Sequence, residues 1–98
     1  MTQVCLFTSS LCLTKETEDS KVPCLIDDHA QLRSTLLKYW PNRARVLMIS
    51  SDPDNHFIND SYVALYKEAF ILNECSYQAI DVHDSRFQPD INDYQVLI

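Results

Sequence analysis

The sequence predicts an α/β fold, a mostly parallel sheet of about four strands with flanking helices. Residues 45–50 (RVLMIS) hold apolar side chains at consecutive positions from Val46 to Ile49, the mark of a strand buried on both faces of a covered parallel sheet. Residues 56–73 carry Ile58, Tyr62, Leu65, Tyr66, Ala69 and Phe70 as one helical stripe. Strand-like and helix-like segments alternate along the chain, which favours right-handed crossovers.

Residues 3–8 read as the first buried strand, an apolar run ended by Thr8, Ser9 and Ser10. The link 9–27 is long, and its part 14–21 (TKETEDSK) is polar throughout. Links of this kind are functional or mobile, so 14–21 is expected to be mobile surface and the least ordered stretch. A helix is expected over 28–40. Asp28 can cap it, Gln31 completes a capping box, and Leu32, Leu36, Leu37 and Trp40 share a face. Pro41 forces Trp40 out of helical geometry, and Trp40 is expected to be largely buried. The turn formers from Ser51 to Asn55 join the 45–50 strand to the 56–73 helix, where Asn73 can take the left-handed conformation at the end. Residues 77–82 form a third strand, 83–93 an irregular crossover with a helical turn near Pro89–Asn92, and 94–98 (YQVLI) a fourth strand.

Ninety-eight residues, 46% of them hydrophobic, suffice for a single domain spanning 1–98. No apolar run reaches the roughly 18–20 residues of a membrane span, and the N-terminus lacks a basic start to a signal peptide. A cytoplasmic location is expected. Cys5, Cys12, Cys24 and Cys75 include no C-x-x-C spacing and are expected to be reduced. The net charge of −6 comes with no cluster of cations, so neither nucleic acid nor a membrane surface is an expected partner. The chain has no glycine at all, against about 7% in an average protein. A P-loop and a dinucleotide-binding glycine turn are thereby excluded, and no cofactor or metal is expected.

In open parallel sheets, ligands bind beyond the carboxyl ends of the strands. Those ends carry Ser10, Ser51, Asp52 and His83, which are expected to line one edge and to shape a substrate site. Asp52 and Asp54 after a strand also fit the paired aspartates of a haloacid-dehalogenase-like phosphotransferase, although turn and cap roles explain them as well. An EF-hand is excluded, because Phe57 stands where the loop needs glycine. No base can be set against a serine or cysteine from spacing alone, so no catalytic residue is assigned within 1–98. The apolar ending Leu97-Ile98 leads to the expectation that the chain is the N-terminal portion of a larger domain, cut after its fourth strand.

The segments VCLFTSS, RVLMISSDPDN, YVALYKEAFILNE, VHD and INDYQVLI, in this order, resemble the N-terminal part of the peptidase E family of aspartyl dipeptidase-like serine peptidases. That family lies in the class I glutamine amidotransferase-like superfamily. The resemblance covers essentially the whole chain by pattern, and it holds none of the family's catalytic motifs. It implies a nucleophilic serine beyond residue 98, in a glycine-flanked elbow, and a small peptide as substrate of the intact protein. The competing expectation is a flavodoxin-like binding or signalling module without catalysis. A phosphoacceptor receiver domain is disfavoured, since Thr8, Ser9 and Ser10 stand where its acidic residues would be.

Overall fold

A computed structural model describes residues 5–6, 13–27 and 29–98. Four strands form one sheet: β1 (Cys5–Leu6), β4 (Ala44–Ile49), β5 (Tyr77–His83) and β6 (Val96–Leu97). Their order is β1-β6-β4-β5, and every neighbouring pair is parallel. Val46 stands beside both Ile80 and Val96, so the strand with the strongest apolar run lies inside the sheet. The α/β class and the parallel pairing of the 45–50 and 77–82 segments are as expected.

Helix α1 (Leu32–Tyr39) and helix α2 (His56–Leu72) both join the core on one face. There Val46, Met48 and Ile80 meet Tyr66, Ala69 and Phe70, with Leu36, Leu37 and Trp40 packed around them. Asn55 caps α2, its side chain accepting from the Ile58 amide at 3.3 Å. On the opposite face the described residues show a second, smaller cluster. Leu47 is wholly buried there against Tyr94 and Leu97, which follow a short 3₁₀ turn at Ile91–Asp93. The consecutive apolar run in β4 therefore marks burial on two faces, and on the second Leu47 packs with Tyr94 and Leu97. Side chains alternate along a strand, so Leu47 needs cover whatever its origin.

The link between β1 and α1 departs most from its reading. Residues 14–21 are part of an antiparallel hairpin of β2 (Thr14–Glu16) and β3 (Lys21–Pro23). Thr17 closes its turn: the backbone amide and the hydroxyl of Thr17 both reach the Ser20 carbonyl, at 2.7 and 2.8 Å. Glu16 stands opposite Lys21 in the register of the hairpin. Leu13 and Ile26, at the two roots of the hairpin, are buried in the main core. These apolar roots hold a polar ribbon against α2.

Helix α1 begins later than expected. A 3₁₀ turn at His29–Gln31 precedes it, held by the Asp27 carboxylate accepting from the His29 amide at 3.0 Å. Gln31 has φ 62° and makes no side-chain cap; position 28, the expected cap, lies outside the described residues. Trp40 leaves the helix with ψ 125° ahead of Pro41, as expected, but is half-buried. Its ring packs 5.1 Å from Phe70 and its indole N–H donates to the Ser76 carbonyl at 2.7 Å.

The end of α2 is a Schellman motif displaced one residue from the expected place. Asn73 keeps φ −92°, and Glu74 takes the left-handed conformation at φ 61°. The Cys75 amide donates to Phe70 and the Glu74 amide to Ile71, the pair of bonds that defines the motif. Asn73 serves another purpose. Fully buried, it accepts from the Ile26 amide at 2.8 Å and donates to the carbonyls of Cys24 and Ala69.

Candidate functional site

Parallel strands deliver their exits to one edge, and here α2 begins at that edge. The first turn of α2 presents Asn59 inward, 3% exposed. Its amide nitrogen donates to the Asp52 carbonyl at 3.2 Å and to Asp84 Oδ2 at 3.3 Å. Its amide oxygen accepts from the Ser50 hydroxyl at 2.7 Å, and Ser50 Oγ in turn accepts from the Asp52 amide. The loop after β4 and the loop after β5 are thus joined through one buried side chain.

Asp84, 2% exposed, is charge-balanced by Arg86. The guanidinium reaches both carboxylate oxygens, with a shortest contact of 2.6 Å, and the Arg86 amide adds a bond at 2.8 Å. These donors hold the Asp84 carboxyl well below the usual carboxylate range. Arg86 also forks onto Asp60 in α2, lowering that carboxyl in the same way. The cluster is saturated internally, with each charged group facing another.

Beside this network lies a cleft of about 510 Å³. Ser51 and Asp52 line it, together with Lys21 from the hairpin, Tyr62 from α2 and Ile98 after β6. Lys21 Nζ donates to the Tyr62 hydroxyl at 2.6 Å, and that hydrogen bond raises the lysine's pKa further. Tyr62 stacks on Tyr66, and Tyr66 on Phe70, so the expected core stripe ends in a half-buried tyrosine on the cleft wall.

The expected site residues separate on this geometry. Ser51 and Asp52 are together in the cleft. His83 is not among its lining residues: Ile80 and Val82 of β5 point into the helix-side core, and alternation turns His83 to the other face. Its carbonyl accepts from the Ser50 amide at 3.1 Å. Ser10 lies outside the described residues. Asp52 and Asp54 are exposed turn residues, and the Asp52 carbonyl accepts from the Asn55 amide at 3.1 Å. Among the described residues, no three His, Cys, Asp or Glu side chains gather as metal ligands do. No helix is long and apolar enough to cross a membrane, among the described residues.

The sequence reading missed one serine–histidine contact. His56 Nε2 lies 2.7 Å from Ser85 Oγ. The Ser85 hydroxyl is also 2.9 Å from the Pro53 carbonyl, which already accepts from the Ser85 amide. With that hydroxyl on Pro53, His56 is the donor, and the pair closes the two loops together. Neither residue lines any of the cavities described here. Asn59, Arg86 and Lys21 were missed as well. The contacts that join separate elements span 25 residues for Asn59–Asp84, 26 for Arg86–Asp60 and 41 for Lys21–Tyr62, beyond any local motif.

No protein-family model, curated protein or solved structure matches this chain.

Proposed function

We propose that the carboxyl-edge cleft binds a small peptide, as the N-terminal wall of the substrate site in a peptidase E-like serine hydrolase of the class I glutamine amidotransferase-like fold. One observation carries this reading: Ile98, at the exit of β6, shares the cleft with Ser51 and Asp52. Strand β6 lies between β1 and β4. The resemblance puts the glycine turn and the nucleophile after this strand, so a reacting carbonyl would sit over the cleft. Asp52 is suited to the peptide's ammonium group, and Ser51 to its amide; neither makes or breaks a bond.

The test is a titration of the chain with the dipeptide Asp-Leu, followed by amide chemical shifts and by release of leucine. Shifts are expected at Ser51 and Asp52, weaker binding by about tenfold in Asp52→Ala, and no hydrolysis. Turnover by this chain that disappears on replacing one of its own serines would place the nucleophile within it and sink the proposal. Shifts confined to other surfaces would do the same.

A second reading, a flavodoxin-like binding module without catalysis in any setting, is favoured by the closed loops. Ser50 and Ser85 already have hydrogen-bond partners in the fold. Binding without turnover fits both readings, and turnover by a longer natural form of the protein would decide for the hydrolase.

A further inference from the structure

Sharing part of the cleft's lining is a second cavity of about 300 Å³, with Ile58, Ser61 and Leu65 on the outer side of α2. Lys21, Ile58 and Tyr62 line both. Ser61 turns its hydroxyl back to the Phe57 carbonyl at 2.8 Å, so its polar group is occupied and the second cavity is mainly hydrocarbon. A cleft that carries Ser51 and Asp52 and a largely hydrocarbon pocket thus share Ile58 and the lysine–tyrosine pair.

That pair has unused donors. An ammonium has three protons, and among the described residues Lys21 gives one, to Tyr62. Its charge also lies 4.9 Å from the centre of the Tyr62 ring. Glu16 stands opposite Lys21 in the hairpin, yet no ion pair joins them. The Tyr62 hydroxyl accepts from Lys21 and keeps its own proton to donate. Among the described lining residues, Lys21 is the one cation, in a chain of net charge −6. Two convergent donors, one of them charged, are what a carboxylate binds.

We infer that Lys21 and Tyr62 form a carboxylate anchor at the junction of the two cavities, and that the ligand is a short peptide with a free C-terminal carboxylate and an apolar last side chain. The carboxylate bridges Lys21 Nζ and the Tyr62 hydroxyl. The last side chain enters the pocket of Ile58 and Leu65, and the rest of the peptide lies in the cleft toward Asp52. The ladder Tyr62–Tyr66–Phe70 fixes the phenol, because Tyr66 and Phe70 are core residues. The hairpin supplies the lysine, which gives this ribbon a binding role. The inference rests on the cleft reading above and adds the identity of the ligand's far end.

The experiment compares Ala-Leu, its C-terminal amide and Ala-Gly on the whole chain, by amide chemical shifts. Ala-Leu is expected to move Lys21, Ile58, Tyr62 and Leu65, while the amide and Ala-Gly each bind about tenfold more weakly. Lys21→Met should erase the preference for acid over amide, and Lys21→Arg should retain it. Tyr62→Phe should weaken Ala-Leu without reversing that order. Unchanged shifts elsewhere check that each variant keeps its fold. Equal binding of acid and amide within the cleft overturns the anchor and leaves the cleft reading standing. Acid preference at Lys21 with no effect of Asp52→Ala supports the anchor and removes the peptide-amine role of Asp52. Absence of binding, or binding away from α2, overturns both.

Discussion

The two ends of α2 are each fastened by a buried asparagine, and the two fastenings have different chemistry. At the C-terminal end, Asn73 bonds only to backbone: the Ile26 amide and the carbonyls of Cys24 and Ala69. Around it lie Phe70, Cys75 and Trp40, and burial pushes the Cys75 thiol up to about 11. At the N-terminal end, Asn59 bonds to side chains, Ser50 and Asp84, and through Asp84 to Arg86. One end is a packed joint in which the asparagine side chain meets no charge, with Arg33 reaching only the Asn73 carbonyl and the exposed Glu74 beside it. The other is an ionic joint beside a cleft. A backbone-bonded, apolar joint responds to packing, whereas an ionic one responds to pH and to ligand.

The largest expected effect breaks the packed end. Phe70 is 1% exposed and meets Trp40, Tyr66 and Tyr77. Phe70→Ala should cost about 3–5 kcal/mol, from lost transfer energy and the cavity left behind. Phe57, at the ionic end, is 81% exposed, and Phe57→Ala should stay within about 0.5 kcal/mol. Urea unfolding of the two variants measures the contrast. Similar losses from both would mean that α2 buries a different face.

The same contrast explains what the sequence could and could not disclose. The core of α2 was legible because Tyr66, Ala69 and Phe70 repeat at the helical period, and β4 because four apolar residues run together. Asn59 shares the stripe's face but is polar, so a hydrophobic pattern passes over it. The hairpin was illegible for a similar reason: its strands are three residues each and mostly polar, and only their roots, Leu13 and Ile26, are buried. At the candidate site, Ser51 and Asp52 followed from the rule for strand exits. Lys21 did not, since nothing local ties it to Tyr62. His83 satisfied the same exit rule, yet side-chain alternation turned it away from the cleft. The exit rule fixes where the backbone goes and leaves open which face a side chain takes.

Acid should loosen the ionic end first. A carboxylate whose native pKa is depressed adds stability above its unfolded pKa, about 3.9, and that stability fades as pH falls through the native value. Asp84 is such a group, held down chiefly by its hydrogen bonds from Arg86. The gap in unfolding midpoint between wild type and Asp84→Asn should therefore be full at neutral pH and shrink below about pH 4. A gap constant down to strong acid would mean that Arg86 does not stabilise the ionised form. At the alkaline limit the sign reverses for Tyr94, whose phenol is pushed up to about 12 by burial and then by its bond to Asp81. Its contribution is present below about pH 10 and is lost as pH rises from there toward 12.

The smallest expected effect sharpens the comparison at the packed end, through the missing glycines. The Schellman turn after α2 requires a left-handed residue, and Glu74 occupies it at φ 61° where glycine is usual. A Cβ in this region costs on the order of 1–2 kcal/mol. Glycine removes that cost, but it also gives the unfolded chain more freedom, worth roughly 0.5–1 kcal/mol against folding. Glu74 also pairs with Arg33 at 3.5 Å, but the carboxylate side chain is 80% exposed, so its loss matters little. The balance favours glycine: Glu74→Gly should stabilise the chain by a few tenths to about 1 kcal/mol. Asn73→Gly, at φ −92°, relieves no such strain and strips the bonds to Ile26 and Cys24, so it should destabilise. Opposite signs at these neighbouring positions, read from urea midpoints, would place the left-handed turn at Glu74 and the joint at Asn73. The same sign at both would mean that the turn is built differently.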